Sequence, residues 1–246
     1  ANALDQTKTS GVQRGVVMLV ALTLLTILSA GTANAQNFTW DPTSGDGQIT
    51  DGTGNWNTTD SNWTTDAGAT NVVAPSSAFG SDLLFGGGTT GTAGTITLTE
   101  TGNSFGSLRF DSPNAGAYNL DLNGNIVNIR RSSSTFKVYA DATISDSSGG
   151  GELRHDNAQY RDYSTGSTLS ISAVVADRAT AVVRTYDTIT LDLSGVNTYT
   201  GGTEIYNSST LRISGAGQLG SGTYAGTIAI ANDGILDYNS SATQTL

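Results

Sequence analysis

Beyond residue 80 the chain is a succession of short segments in which every second residue is apolar. Residues 95–99, Thr-Ile-Thr-Leu-Thr, set Ile96 and Leu98 on one side and threonines on the other. Residues 188–193 repeat the arrangement with Ile189, Leu191 and Leu193, and residues 168–172, 210–214 and 227–230 follow it. Strand side chains point alternately to opposite faces, so each segment predicts a strand with one buried side. Asn-Gly, Asp-Gly, Ser-Gly and Gly-Gly steps lie between them, the chemistry of tight turns. The best helical pattern, residues 173–186, also reads as two short strands, 173–176 and 181–184, in an eight-residue echo. Its paired β-branched valines favour strands, so the expectation is all-β.

Spacing adds a second layer. Segments opening near Thr188, Thr210 and Gly234 lie 22 and 24 residues apart, each with inward-facing Leu or Ile. Periods of about 20–30 residues mark solenoids. A parallel β-helix fits, with strands of successive coils stacked and turns leaving at the corners. A hairpin-rich sandwich is the alternative, because the period is irregular before residue 180. All three tryptophans, Trp40, Trp56 and Trp63, fall between residues 38 and 63. This predicts an N-terminal cap over residues 36–80, bounded near Val73 to Ser81, ahead of a stack over residues 81–246.

The first 35 residues differ. Lys8 and Arg14 precede a largely apolar run from Gly15 to Leu28, and small residues ending in Ala33-Asn-Ala35 follow. That is the layout of a secretory signal peptide, helical and cleaved after Ala35, with an uncleaved anchor as the alternative. The chain opens on Ala1 and its only methionine is Met18, so it reads as a fragment of a longer protein. Loss of residues 1–35 leaves 9 basic and 20 acidic residues, shifting the net charge from −10 to −11. Such a surface repels phosphate backbones, and nucleic acid is not expected as a partner. There is no cysteine, so stability must come from packing and backbone pairing. Glycine reaches 31 residues, which makes disorder a rival that the β-branched alternation argues against.

Candidate chemistry is sparse. Residues 215–220, Gly-Ala-Gly-Gln-Leu-Gly, match a dinucleotide-binding spacing, with Asp237 further on, but Ser-Gly-Thr-Tyr-Ala-Gly cannot open the required helix. His155, the only histidine, predicts a solvated polar turn after three glycines, and without cysteine it makes no zinc site. Asp111 with Asp121, or Asp187 with Asp192, could align on neighbouring coils as a hydrolytic carboxylate pair; their Gly, Ser and Asn neighbours favour turn roles. Asp41, Asp46 and Asp51 have the composition of a calcium loop without its spacing and read as turn residues. Nine tyrosines and three tryptophans show no stripe on which a sugar could stack. No catalytic, cofactor-binding or metal-binding residue is expected, nor any cofactor.

One stretch carries a family resemblance. Residues 193–205, Leu-Ser-Gly-Val-Asn-Thr-Tyr-Thr-Gly-Gly-Thr-Glu-Ile, resemble the signature of the autotransporter-associated beta strand repeat, also called the passenger-associated transport repeat. The likeness continues through residues 209–213, 217–222 and 234–237, giving one clear copy over about residues 191–238. Residues 83–86 and 105–110 resemble the weaker sequence that precedes such copies. Trp40, Gly54-Asn-Trp56 and Asn62-Trp63 are similar to the tryptophan-rich start of these proteins. The resemblance implies a right-handed parallel β-helix passenger, exported to the outer membrane or surface of a Gram-negative cell or released from it. It also implies a translocator barrel or other anchor beyond residue 246, and no shared catalytic residues. The expectation is a structural or adhesive passenger, not an enzyme. The alternative is a β-helix that binds or cleaves carbohydrate, so an extracellular polysaccharide or a host or cell surface is the expected partner.

Overall fold

A computed structural model describes residues 36–74, 77–88, 90–111, 116–130 and 134–246. The expected signal peptide lies outside the described residues. Strands come first from the tryptophan-rich segment: β1 (Phe38–Trp40), β2 (Thr50–Asp51), β3 (Gly54–Trp56), β4 (Trp63–Thr64) and β5 (Asn71–Val72). Next are β6 (Ser77–Phe85), β7 (Thr90–Gly91), β8 (Thr95–Leu98), β9 (Asn103–Phe110), β10 (Tyr118–Asp121), β11 (Ile126–Ile129), β12 (Ser134–Val138) and β13 (Ala142–Ser145). The rest are β14 (Glu152–Asp162), β15 (Thr168–Ile171), β16 (Val174–Tyr186), β17 (Thr190–Leu193), β18 (Thr203–Ile205), β19 (Thr210–Gly215), β20 (Ile228–Ile230) and β21 (Ile235–Ser240). The one helical element among the described residues is a 3₁₀ turn at Gly220–Gly222.

These strands wind into a β-solenoid of about six turns. Each turn sends one strand to an eight-stranded sheet ordered β21-β19-β17-β15-β13-β10-β8-β3 and the next to an eleven-stranded sheet. The larger sheet runs β20-β18-β16-β14-β11-β9-β6-β1-β4-β5, with β12 beside β11 between β9 and β14. Strands of successive coils pair in parallel. The sandwich alternative is set aside, because hairpin neighbours would pair antiparallel.

The alternation seen in the sequence is what stacks. Ile96, Leu120, Ile144, Ile171, Leu193 and Ile213 are register partners from coil to coil, each fully buried. Their steps are 24, 24, 27, 22 and 20 residues, so the core stays in line while the corners absorb the difference. A second ladder, Leu83, Leu108, Phe136, Tyr160, Thr185 and Ile205, fills the core from the opposite sheet. Burial of each such aliphatic or aromatic side chain stabilises the fold by roughly 1.5–3 kcal/mol.

The two short strands read from sequence at residues 173–176 and 181–184 fall on one long strand, β16, which begins at Val174. Its register against β14 jumps from His155↔Asp177 to Asn157↔Val182, and the extra residues 178–180 stand exposed. At the tryptophan-rich end β1 still pairs in parallel with β6, but β4 and β5 add on antiparallel. Trp40, Trp56 and Trp63 are buried. Trp63 packs edge-on against Trp40 at 5.2 Å and Trp56 at 5.4 Å, and Trp56 reaches Phe105 at 5.2 Å.

Candidate functional site

The polar side chains that matter sit at the corners, where the chain leaves one sheet for the other. Asp162 ends β14 and accepts hydrogen bonds from Ser164 N and Oγ, Gly166 N, Ser167 N and, from the next coil, Thr188 Oγ1 at 2.6 Å. Burial alone would raise its pKa. The Thr188 hydroxyl and the Ser164 and Gly166 N–H groups outweigh that and hold it far below the usual carboxylate range. Asp121 binds Asn123 N within its own turn and Ser147 N and Oγ one coil on. Asp146 takes Gly124 N from the previous coil and Gly151 N from its own. Asp177 holds the β16 bulge through Ala181 N and the next coil through Thr200 N and Oγ1. These carboxylates serve as clamps between coils.

The carboxylates weighed as hydrolytic pairs are bound to other partners. Asp111 is ion-paired with Arg109, and Asp187 with Arg161 at 3.0 Å. Asp121 holds Ser147, and Asp192 accepts from Ser214 Oγ at 2.6 Å. The glycine motif at 215–220 runs from the end of β19 into the 3₁₀ turn, with no α-helix to receive a pyrophosphate, and Asp237 is ion-paired with Arg212 at 2.8 Å. Among the described residues no group of three His, Cys, Asp or Glu side chains converges on a metal position. No helix among them is long and apolar enough to cross a membrane.

Two readings change. His155 does not lie in a solvated turn: it sits within β14, fully buried, in register with Ile129 and Asp177. Neither ring nitrogen has a hydrogen-bond partner, and the ring meets Tyr160 edge-on at 6.1 Å. Burial drives its pKa down to about 4, with the Asp156 backbone and the Asp177 charge pulling weakly the other way. Of the three N-terminal aspartates, only Asp46 keeps an ordinary turn role, accepting from Gln48 N and Thr50 Oγ1. Asp41 and Asp51 are buried.

Two stacked tyrosine pairs are present that the sequence did not show. Tyr139 and Tyr163 stack at 5.2 Å and 22°, and Tyr186 and Tyr206 at 5.3 Å and 21°. Arg109 lies 4.5 Å over the Tyr139 ring and Arg161 4.9 Å over Tyr186. The two pairs lie on successive coils but are offset, because Tyr186 is in register with Arg161 and not with Tyr163. Each stacked ring spends a face on its neighbour, and Tyr139 and Tyr186 spend the other on a guanidinium, whereas Tyr163 is exposed. A separate groove lies between two later corners. Thr198, Thr200, Ser221 and Thr223 line it above the buried Tyr199 and Tyr224. A hydroxyl chain underlies it: Tyr199 to Thr203 at 2.9 Å, Thr203 to Tyr224 at 2.7 Å, and Tyr224 donating to the Gly201 carbonyl.

Comparison with protein-family models, curated proteins and solved structures gives no match.

Proposed function

We propose that this chain is a structural or adhesive passenger, exported and displayed at or released from a Gram-negative surface, whose work is done by the length and regularity of its stack. The observation that carries the reading is the clamp system: corner carboxylates that could serve chemistry are instead bonded from one coil to the next. A stack in which each coil fixes its neighbour suits a protein that folds progressively from one end after export. The resemblance of residues 191–238 to the autotransporter-associated repeat supports the same reading. In this account the solenoid is right-handed, residues 1–35 are a signal peptide, and the buried tryptophans with antiparallel β4 and β5 cap the first coil.

The test is expression of the whole chain in a Gram-negative host, with N-terminal sequencing of the product and protease treatment of intact cells. A product starting at Gln36 that external protease removes fits the proposal. A product retained in the cytoplasm with residues 1–35 attached ends it.

The second reading is carbohydrate binding, and the hydroxyl-lined groove at Thr198–Thr200 and Ser221–Thr223 is what favours it. Binding on a glycan array that Thr200→Ala and Thr223→Ala weaken would move the function to that groove.

A further inference from the structure

Cations gather on one side of an acidic chain. Residues 36–246 carry 9 basic and 20 acidic side chains. Among the described residues every lysine and arginine except Arg212 stands on a strand of the larger sheet or one residue beyond it. Three of them fall in register on adjacent strands: Arg109 of β9 lies opposite Lys137 of β12, and Lys137 opposite Arg161 of β14. Strands of a sheet are about 4.8 Å apart, so these form a column of like charges one rung apart. Like charges directly opposite one another destabilise a sheet. Other outward columns avoid this. Asp192, Arg212 and Asp237 alternate in sign along the smaller sheet, and Arg184 faces Glu204 on the larger one.

Each cation of the column meets one carboxylate: Arg109 pairs with Asp111, Lys137 with Asp82 at 3.2 Å and Arg161 with Asp187 at 3.0 Å. Each still keeps 31–35% of its side chain exposed. Arg161 uses Nε alone on Asp187, so both of its Nη groups are left for another acceptor. The column runs on into aromatic rings. Tyr186 is in register with Arg161 and stacks on Tyr206 of the next coil at 5.3 Å. Tyr163, two residues past Arg161, is 45% exposed. Guanidinium and ammonium groups suit carboxylates, and tyrosine adds an apolar face with a polar tip, a combination that fits acidic sugars.

We propose that this line on the outer face of the larger sheet binds an anionic polysaccharide that carries one carboxylate per sugar. The polymer lies across the strands, so that successive charges meet Arg109, Lys137 and Arg161 and the chain continues over the tyrosines. Charge spacing favours such a polymer, because one sugar is comparable in length to one rung. Duplex DNA carries a charge about every 1.7 Å, and the acidic remainder of this chain repels that excess. The inference gives the adhesive reading its partner and rests on it for where that partner is met. Binding in solution does not depend on export, so either can fail alone. The line shares no residue with the groove at Thr198–Thr200 and Ser221–Thr223.

The experiment is calorimetric titration of the purified chain with polygalacturonate, beside its fully methyl-esterified form, which has the same sugars without the charge. The expected result is saturable binding of polygalacturonate that weakens as salt rises, and no binding of the ester. Arg109→Gln, Lys137→Gln and Arg161→Gln should each weaken binding by roughly threefold. Arg212→Gln, the same loss of charge on the other sheet, should change it by less than about twofold, because distant charges are screened. Asp187→Asn should tighten binding, since it releases Arg161 from its carboxylate. A column that serves only the fold would answer Asp187→Asn with a lower melting temperature and no gain in affinity, and that result overturns the proposal. So does a wild type that shows no saturable binding, an equal loss with Arg212→Gln, or tighter binding of duplex DNA. The wild-type titrations decide even where a variant does not fold. Loss of export with binding intact would strike the passenger reading and leave this surface standing.

Discussion

His155 and Asp162 show how the same burial acts in opposite directions on different residues. His155 is held neutral in an apolar ladder, with a pKa of about 4 against 6.5 for a free side chain. The unfolded chain therefore takes up a proton that the folded chain refuses. Its contribution is fully present above about pH 6.5 and falls by about 1.4 kcal/mol for each pH unit down to about 4. Urea melts of wild type and His155→Leu across pH 4–7 should diverge with that slope, and parallel curves would refute it. Asp162 also loses its contribution as pH falls, but through its hydrogen-bond donors and against the effect of burial. Five donors stabilise its charge, so its contribution is intact above about pH 4 and erodes only in stronger acid. Asp162→Ala should lower stability at pH 7 by about 3 kcal/mol, because three backbone N–H groups lose a charged acceptor. A loss below about 0.5 kcal/mol in chemical denaturation would mean that water replaces the carboxylate at no cost.

Within single elements, the adjacent glycines before β18 give a sharp comparison. A Cβ on Gly201 would stand 1.8 Å from the Ala181 carbonyl oxygen of the previous coil, whereas one on Gly202 would meet nothing closer than 3.5 Å. Gly201→Ala should cost about 3 kcal/mol and Gly202→Ala less than about 0.5 kcal/mol; equal melting temperatures would contradict the coil-to-coil approach. Strands 95–98, 168–171, 190–193 and 210–215 were legible because threonine and aliphatic residues alternate cleanly there. β14 was not. Its inward positions are Leu153, His155, Ala158 and Tyr160, and neither histidine nor alanine announces a buried strand. The tyrosine pairs were hidden for a different reason: their members are 24 and 20 residues apart, and they align only once each coil's length is known. The buried Asp41 and Asp51 look in sequence like any Asp beside Gly or Pro. Only their long-range neighbours, Asn71 and Tyr118, set them apart from Asp46.

For the molecule as a whole, stability is a sum over rungs, and register matters more than length. Thr190 pairs with Thr210, Leu191 with Leu211 and Leu193 with Ile213, so deleting residues 190–209 removes one coil and returns the chain to the same face. The shortened protein should keep its β circular dichroism and unfold cooperatively with a smaller denaturant dependence. Deleting Leu191 alone instead puts Asp192 in the inward position and Leu193 outside within the same strand, and that protein should lose most of its stability. Failure of the first deletion alongside the second would mean that the coils are not interchangeable. The exposed bulge at residues 178–180 extends the point, because β16 resumes its pairing on both sides of it. A foreign peptide grafted there would ride on an undisturbed frame and face outward, which makes this protein a ready chassis for presenting an epitope.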